Sequence, residues 1–308
     1  MSGFLGDSSI GRPTLAELLG TGDMILAPGC YDPLGARLIE EAGFGAVYMT
    51  GFGTAAGRLG RPDVGLLTLT EMVDNARRIA QAVEVPVIAD ADTGYGNALN
   101  VIRTVHEYEE AGVSAIHIED QVTPKRCGHL EGKEVVDAGE MAAKVAAAVA
   151  ARQRPDFLII ARTDARAVEG LDAALDRARR YRDAGADMLF VEAPQSTDEI
   201  KTIADRLADV PLLFNFAEGG RTPAVTHGFL RDLGFRLVIF PLSTLLTATA
   251  AMRSALAQIK ASGTPIELLP SMLGFEAFLE LVGIGEIREL EERFADLANH
   301  HDEGKSGE

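Results

Sequence analysis

Eight short apolar runs alternate with segments of helical character along the chain, and this alternation constrains the fold more than any other feature. The runs are rich in Val, Ile, Leu and Phe, which is typical of strands buried on both faces of a parallel sheet. In order they are Met24–Ala27, Ala46–Met49, Val85–Ala89, Ala115–Ile118, Phe157–Ala161, Met188–Val191, Leu212–Phe214 and Leu237–Phe240. Helical spacing is clear between them in Thr70–Ala82, Val101–Ala111, Ala138–Arg152, Leu171–Ala184 and Ser196–Leu207. The pattern predicts an α/β fold, a (β/α)₈ TIM barrel.

A doubly wound open sheet would share this local pattern, but no GxGxxG or P-loop signature supports it. After the eighth run, Thr244–Ser262 is predicted to be the closing helix, and Gly263-Thr264-Pro265 ends it. Two further helices are predicted, at Ser271–Val282 and Glu286–Leu297. We expect a single barrel domain over 1–308, with the barrel at about 20–262 and a helical extension at about 263–300 that covers the barrel or reaches another subunit.

The charge balance excludes several classes of partner. Lys and Arg total 29 against 46 Asp and Glu, a formal net charge of -17, which disfavours nucleic acid and anionic membranes as partners. Cys30 and Cys127 are far apart, so neither a disulfide framework nor a structural zinc site is expected. Neither a signal peptide nor a membrane span is evident, and we expect a soluble cytoplasmic protein.

Polar residues follow almost every apolar run. These strand ends converge at one mouth of a barrel, where active sites of this fold lie. The residues are Thr50, Asp90, Asp92, Glu119, Asp120, Arg162, Asp164, Glu192, Asn215, Glu218 and Ser243. Converging carboxylates need a cation, and all-oxygen ligands favour Mg²⁺ or Mn²⁺. Asp90 and Asp92 are two apart and point to the same side, which suits a metal, although Asp-x-Asp-Thr-Gly could instead be turn chemistry.

Other residues leave structural and functional interpretations open. Arg162 closes an apolar strand and could pair with a barrel carboxylate, clamp a substrate oxygen, or do both. Thr50 and Asn215 are weakly specified strand ends. His117 lies within the fourth run and is interpreted as a satisfied barrel histidine. Cys30 is interpreted as a packed thiol.

The segment Lys125-Arg126-Cys127-Gly128-His129 carries the strongest chemical signal. Neighbouring cations favour an ionised, reactive thiol, whereas the carboxylates of the mouth act in the opposite direction, so the resting state of Cys127 stays open. Residues 121–133 form a long βα connection, which indicates a lid. The alternative is a surface loop with an incidental cysteine.

This segment resembles the signature of the isocitrate lyase/phosphoenolpyruvate mutase superfamily. Further matching motifs occur in order: Tyr48-Met49-Thr50-Gly51, Pro62-Asp63-Val64-Gly65, Asp90-Ala91-Asp92-Thr93-Gly94-Tyr95-Gly96, His117-Ile118-Glu119-Asp120-Gln121, Arg162-Thr163-Asp164-Ala165, Glu192-Ala193 and Glu218-Gly219-Gly220-Arg221-Thr222-Pro223. The resemblance implies a barrel whose C-terminal helices are exchanged between subunits of a homotetramer. It implies Mg²⁺ near Asp90, Asp92 and Glu119, with Asp63 acting through water.

The resemblance also implies roles for individual residues. Substrate binding falls to Thr50, Gly51, Phe52, Gly128, Arg162, Glu192 and Asn215, and catalysis to Tyr48, Lys125, Cys127, His129 and Arg162. Members that cleave carbon–carbon bonds keep the loop cysteine as a general acid, so Cys127 favours a lyase. The implied reaction is retro-aldol cleavage of a 2-hydroxy dicarboxylate, of the 2-alkylmalate or methylisocitrate type, to a 2-keto acid such as pyruvate and a second carboxylate. Tyr48 is a possible base or only orients the hydroxyl.

One departure from the family pattern bears on the substrate. Isocitrate and methylisocitrate lyases have an arginine where Leu246 aligns, and an unpaired third carboxylate would be costly to bury. This favours the smaller substrates of the 2,3-dimethylmalate lyase and oxaloacetate hydrolase branch. Carboxyphosphonoenolpyruvate phosphonomutase, which shares the cysteine loop, is the main alternative. A metal-binding barrel without activity is the third.

Overall fold

The computed structural model describes residues 13–303. Eight parallel strands close into a barrel in sequence order, and the eighth pairs with the first. They are β1 (Ile25–Cys30), β2 (Val47–Met49), β3 (Val87–Asp90), β4 (Ala115–Glu119), β5 (Leu158–Thr163), β6 (Met188–Val191), β7 (Leu212–Asn215) and β8 (Leu237–Phe240). The predicted (β/α)₈ fold is confirmed.

Helices follow the strands and extend beyond the last one. They are α1 (Leu15–Gly20), α2 (Pro33–Glu41), α3 (Gly51–Leu59), α4 (Leu69–Ala82), α5 (Ala98–Glu110), α6 (Ala138–Ala151), α7 (Ala165–Val168), α8 (Leu171–Asp183), α9 (Thr197–Arg206), α10 (His227–Asp232), α11 (Ser243–Ser262), α12 (Phe275–Leu281) and α13 (Ile284–Glu303). The helix predicted from Ser271 begins later, because Ile266–Ser271 form a 3₁₀ helix that contains Pro270, and α12 starts only after Gly274.

The chain divides into two compact units. The larger one spans Arg12–Thr249 and contains all eight strands. The smaller one includes the described residues 250–303, with most of α11 and with α12 and α13. The predicted boundary near residue 262 between barrel and extension stays a prediction.

Alternation along the strands separates two apolar layers. One set of side chains, which includes Ile88, Ile160 and Ile239, fills the inside of the barrel, and Leu15 of α1 belongs to the same cluster. The alternate set, such as Ile116 and Ile159, packs outward against the helices. Each fully buried aliphatic side chain of this size contributes about 1.5–3 kcal/mol to folding. Because both faces of the strands are packed in this way, side chains at the strand ends are held on a rigid backbone.

The strand register brings the polar ends together. Asp90 of β3 pairs with His117 of β4, and Glu119 of β4 pairs with Arg162 of β5. Because neighbouring parallel strands lie about 4.8 Å apart, these residues meet at the carboxyl-terminal mouth without any long side-chain reach. The connection from β4 to α6 is the long one that the sequence indicated, and an isolated antiparallel bridge between Gln121 and Val135 joins its two ends.

Candidate active site

A cavity opens at the carboxyl-terminal mouth of the barrel. Its wall contains all five predicted catalytic residues: Tyr48, Lys125, Cys127, His129 and Arg162. It also contains seven others that the sequence indicated, namely Thr50, Phe52, Asp63, Asp90, Gly128, Glu192 and Asn215. Of the predicted site residues, all of which lie in the described part of the chain, Gly51, Asp92 and Glu119 are outside this wall. Asp92 and Glu119 are nevertheless buried.

Lys125 points into the cluster of aspartates rather than toward Cys127. Its Nζ lies 2.7 Å from Asp63 Oδ1 and 2.8 Å from Asp92 Oδ1. Although burial alone would lower it, the pKa of Lys125 is held well above its usual value by Asp92, Asp90 and Asp63. Burial raises the pKa of Asp92 to about 7, with Lys125 opposing the rise and Asp90 adding to it. The lysine therefore supplies the positive charge that this end of the site needs.

Arg162 joins three carboxylates on the opposite wall. Its Nε lies 2.8 Å from Asp164 Oδ2 and 3.1 Å from Glu119 Oε2, while Nη2 lies 3.6 Å from Glu192 Oε2. The guanidinium also stacks over the ring of Phe190, with Cζ 5.0 Å from the ring centroid. Both open interpretations of Arg162 are thus compatible, since the side chain is fixed by carboxylates and still lines the cavity.

Three side chains lie around the carboxylate of Glu192: His129, Asn215 and Arg162. His129 Nε2 lies 3.0 Å from Glu192 Oε1, and Asn215 Nδ2 donates to both carboxylate oxygens at 3.1 and 3.3 Å. The backbone amide of Arg221 donates to His129 Nδ1 at 3.1 Å, so Nε2 is the ring nitrogen that faces Glu192. Burial acts to raise the pKa of Glu192, but Arg162 and His129 outweigh it and hold the pKa well below its usual range.

The interpretation of His117 as a satisfied barrel histidine is wrong for one of its ring nitrogens. Nε2 shares a 2.8 Å hydrogen bond with the hydroxyl of Tyr48, but the buried Nδ1 has no hydrogen-bond partner and lies 3.7 Å from Asp90 Oδ1. Burial lowers the pKa of His117 to about 4, so the ring is neutral, and burial raises the pKa of Tyr48 well above its usual value. Tyr48 therefore keeps its proton in the isolated site.

The Cys127 loop, residues 121–133, packs against the mouth of the barrel at Cys127 and Gly128, and its thiol is neutral. Burial raises the pKa of Cys127 to about 11, and the charges of Asp63 and Glu192 add to the rise. The expectation that Lys125, Arg126 and His129 favour the thiolate is wrong, because their side chains contact other groups of the protein. Lys125 binds the aspartates and His129 binds Glu192, while Arg126 Nη1 donates to the carbonyl of Glu131. Cys30 is fully buried, as expected of a packed thiol.

Two glycines allow the close approach of backbone to these charged groups. A Cβ on Gly51 would lie 2.3 Å from Asp90 Oδ2, and one on Gly128 would lie 2.6 Å from Arg162 Nη2. Gly51 is the first residue of α3, whose N-cap Thr50 accepts a hydrogen bond from the amide of Gly53 at 3.2 Å. Thr50 and Phe52 thus place a helix N-terminus, a ready binding site for a carboxylate, at the cavity wall.

Comparison with known proteins assigns the chain to a family. The family model described as phosphoenolpyruvate phosphomutase matches residues 15–260. The chain belongs to the phosphoenolpyruvate phosphomutase family. The resemblance that the motifs indicated, to the superfamily that contains this family and isocitrate lyase, is confirmed.

Several named lyases and a mutase are similar to this family member. The 2,3-dimethylmalate lyase of Eubacterium barkeri is 48% identical over 281 residues, covering 91% of this chain and 97% of that protein. The 2-methylisocitrate lyase of Aeropyrum pernix is 42% identical over 310 residues, covering 99% of each. The chloroplastic carboxyvinyl-carboxyphosphonate phosphorylmutase of Arabidopsis thaliana is 44% identical over 280 residues, covering 90% of this chain and 82% of that protein. The prediction of an enzyme of this superfamily is confirmed.

Solved structures agree in fold. Oxaloacetate acetylhydrolase, solved with the inhibitor 3,3-difluorooxalacetate, superposes with a TM-score of 0.87 at 40% identity, covering 92% of this chain and 97% of that one. Phosphonopyruvate hydrolase, solved with oxalate and Mg²⁺, superposes with a TM-score of 0.84 at 34% identity, covering 91% and 98%. In this family member, no helix within residues 13–303 combines the length and apolarity that a membrane crossing requires.

The donor set of this family member fits a hard divalent cation in chemistry. Glu119 Oε1 is buried without a hydrogen-bond partner, and Asp92 Oδ1 accepts no well-directed hydrogen bond although Lys125 Nζ is close. Both are carboxylate oxygens, which Mg²⁺ prefers. Within residues 13–303, however, no three His, Cys, Asp or Glu side chains are arranged to hold a metal ion on their own. Lys125 occupies part of the space between the aspartates.

Some residues of the site were missed or misplaced by sequence reasoning. Asp164 and Lys133 are buried beside Arg162 and the loop, but were assigned no role. Asp164 could have been found, since it lies two residues after Arg162 on the same strand end, whereas Lys133 has no local signal. Leu246 is 47% exposed and is outside the cavity wall, where Pro241 and Leu242 lie instead.

Proposed function

We propose that this protein is a Mg²⁺-dependent carbon–carbon lyase that cleaves a 2-hydroxy dicarboxylate into a 2-keto acid, such as pyruvate, and a second carboxylate. The observation that carries the proposal is the Cys127 thiol, which burial keeps protonated in the same cavity as Arg162 and Tyr48. A retro-aldol cleavage leaves an enediolate that must be protonated at carbon, and a neutral thiol is a suitable acid for that step. The similarity to 2,3-dimethylmalate lyase supports the same class of reaction.

Different residues of the cavity are proposed to bind different groups of the substrate. The α3 N-terminus at Thr50, Gly51 and Phe52 binds one substrate carboxylate through backbone amides. Arg162 faces the oxygen on which charge develops, because its guanidinium is already oriented by Asp164 and Glu119. Glu192 and Asn215 accept and donate hydrogen bonds beside Arg162.

Proton handling falls to Tyr48 and Cys127. Because Tyr48 holds its own proton, it does not act as a free phenolate base. It takes up the proton of the substrate hydroxyl as its own proton moves along the hydrogen bond to His117 Nε2. Cys127 then gives its proton to the enediolate carbon, and the closed loop excludes water from that carbon.

Asp90, Asp92 and Glu119 would hold Mg²⁺, with Asp63 acting through water, and the cation would take over the charge neutralisation that Lys125 provides to the aspartates. Mn²⁺ has the same ligand preferences. When bound, the cation supplies Lewis-acid stabilisation of the substrate oxygens. The Mg²⁺ in the structure of phosphonopyruvate hydrolase supports this choice.

The apolar part of the wall bears on the substrate. Phe52, Ala217, Pro241 and Leu242 line the cavity. An alkyl substituent fits such a surface, whereas a third carboxylate there would be buried without a partner. A 2-alkylmalate is therefore the proposed substrate, ahead of methylisocitrate.

We further propose that the protein is a homotetramer with C-terminal helices exchanged between subunits. In the smaller unit, large apolar side chains are exposed, among them Leu269 and Leu273 at 59% and Phe275 at 76%. Large apolar side chains exposed in such number favour burial against another chain. Light scattering at micromolar concentration is expected to give the mass of four chains, and a monomer would disprove the assembly.

A coupled assay with lactate dehydrogenase tests the function. The protein with Mg²⁺ is expected to release pyruvate from 2-alkylmalates, and chelation with EDTA is expected to abolish release. Cys127→Ser should reduce turnover by at least about 10²-fold, the range for loss of a general acid, while Mg²⁺ binding is retained. Ser keeps the size of the side chain and serves as the matched variant.

The same assay separates the alternatives. Cleavage of oxaloacetate alone would favour an oxaloacetate hydrolase, and pyruvate only from 2-methylisocitrate would contradict the argument from the apolar wall. Turnover of a carboxyphosphonate substrate without any cleavage of malates would favour the phosphonomutase, an activity that the similarity to the Arabidopsis mutase suggests. Absence of Mg²⁺ binding would favour a barrel without this activity.

A further inference from the structure

Lys133 is a buried lysine that the proposed mechanism does not use. It lies near the end of the Cys127 loop, and its side chain is 2% exposed. Its ammonium donates to the carbonyl oxygen of Gly128, inside the loop signature, and lies 3.0 Å from Asp164 Oδ1. Taking an ammonium out of water is costly unless its partners are in place. The burial of Lys133 is therefore favourable only while Gly128 stays against the barrel wall.

Asp164 connects this lysine with the substrate side of the site. The same carboxylate that pairs with Lys133 also accepts hydrogen bonds from Arg162, at 2.8 Å from Nε and 3.2 Å from Nη2. It is completely buried. The carboxylate of Asp164 thus contacts both Arg162, which is proposed to face the substrate, and Lys133, which bonds the loop at Gly128.

Gly128 is the residue whose backbone packs most closely against the wall beside Arg162 and Glu192. A Cβ there would lie 2.7 Å from Glu192 Cγ, so the backbone of Gly128 packs directly against the charged wall. The loop also contacts the barrel through side chains, since Lys125 pairs with Asp63 and His129 pairs with Glu192. Two backbone bonds add to these: Val122 N bonds to the carbonyl of Glu134 at the base of the loop, and Cys127 N bonds to the carbonyl of Asp63. Within the described loop, Lys133 is the cation that bonds Gly128 to the Arg162 side of the mouth.

We propose that Lys133 is a latch that holds the Cys127 loop closed through Gly128 and, through Asp164, links loop closure to the orientation of Arg162. Lys133 is a positioning residue in this proposal, since it is not itself part of the cavity lining and its ammonium bonds the backbone of Gly128 and the carboxylate of Asp164. When the loop opens, the ammonium of Lys133 returns to water, and Asp164 then pairs with Arg162 but no longer with Lys133. The pairing of Lys133 with Asp164 therefore favours both the closed loop and the observed orientation of Arg162. The effect on turnover rests on the proposed lyase function, whereas the latch itself is measured without substrate.

Lys133→Met tests the latch because it keeps a long, flexible side chain and removes the ammonium. The chain offers a matched control in Arg152→Met. Arg152 also bridges a carbonyl and a carboxylate, donating to Phe157 O at 3.2 Å and Asp187 Oδ2 at 2.6 Å, but between α6 and β5 at the other end of the barrel. Both variants lose one ion pair and one hydrogen bond to a carbonyl.

The measurement is the rate of alkylation of Cys127 by iodoacetamide, followed by mass spectrometry under native conditions. Cys30 is the internal reference, since it is the other cysteine of the chain and is fully buried. Lys133→Met is expected to accelerate alkylation of Cys127 at least about tenfold, because hydrogen bonds to a charged group are among the strong ones. Cys30 should remain unreactive, and Arg152→Met should leave both rates unchanged.

Turnover provides the second measurement. Lys133→Met is expected to lower kcat about tenfold or more with a small change in KM, because the loop acts on the bound substrate. An unchanged alkylation rate at Cys127 would overturn the latch, as would equal acceleration in Arg152→Met or reaction of Cys30, since either shows general loosening of the fold. If the unmodified protein cleaves no substrate, the proposed function fails, and the alkylation rates still decide the latch.

Discussion

Gly128→Ala perturbs the loop from the wall side by adding one methyl group. The new Cβ would lie 2.6 Å from Arg162 Nη2 and 2.7 Å from Glu192 Cγ, where ordinary contacts begin at 3.4 Å. Neither neighbour can withdraw easily, because Arg162 is bonded to Asp164 and Glu192 to His129 and Asn215. The loop must therefore move away from the wall instead.

The size of the effect follows from this displacement. Relief of the contact requires a movement of about 1 Å, given that carbon atoms pack best at roughly 3.5–4.0 Å. A misplacement of about 1 Å can reduce a catalysed rate about 10²-fold. The free energy of unfolding should change by less than about 1 kcal/mol, well below the roughly 1–3 kcal/mol of core overpacking, because a loop can open where a core cannot. Gly128→Ala is thus expected to lower the catalysed rate strongly while leaving the free energy of unfolding nearly unchanged.

Three measurements on one preparation test this expectation: kcat by the coupled assay, the midpoint of urea unfolding, and the alkylation rate of Cys127. Gly20→Ala is the control, since a Cβ at the end of α1 meets nothing within 4 Å. The variant at Gly128 should lose turnover and gain thiol reactivity at nearly unchanged stability. Full turnover with an unchanged alkylation rate would refute the argument that the closed loop packs on this wall.

Three further predictions concern other positions in the barrel. Thr50→Val removes the N-cap acceptor of α3, which bonds the amide of Gly53, and should lower the free energy of unfolding by about 1 kcal/mol in a urea titration; an unchanged midpoint would contradict the cap. Because burial raises the pKa of Cys127 to about 11, its alkylation rate should rise with pH to a midpoint near that value, and a midpoint close to the roughly 8.5 of a free thiol would show an exposed cysteine. Tyr181→Phe removes a 2.7 Å hydrogen bond to buried Asp120 and should destabilise the protein by about 1–3 kcal/mol with turnover retained, whereas loss of turnover at full stability would place Asp120 in the site.

Much of the fold could be predicted from local patterns. The apolar runs were sufficient to place β6 and β8 at their observed bounds, because a strand buried on both faces needs an unbroken apolar segment. The start of α12 was predicted wrongly, since Pro270 is accommodated in a 3₁₀ helix that helical spacing alone does not reveal. The end residues Glu119 and Asp120 were grouped together, yet they face opposite sides of β4: Glu119 meets Arg162, whereas Asp120 bonds Thr163 and Tyr181 behind the strand.

The sequence by itself determined the barrel, the family and the identity of most residues around the cavity, because each depends on residue type and on spacing along the chain. Only the tertiary structure decided which charges meet. Lys125 and His129 are neighbours of Cys127 in sequence, but their side chains contact Asp63 and Glu192, and the thiol is left neutral. Lys133 and Asp164 are 31 residues apart and form a buried pair. Electrostatic effects depend on the distance in space and on burial, and neither is set by position in the chain.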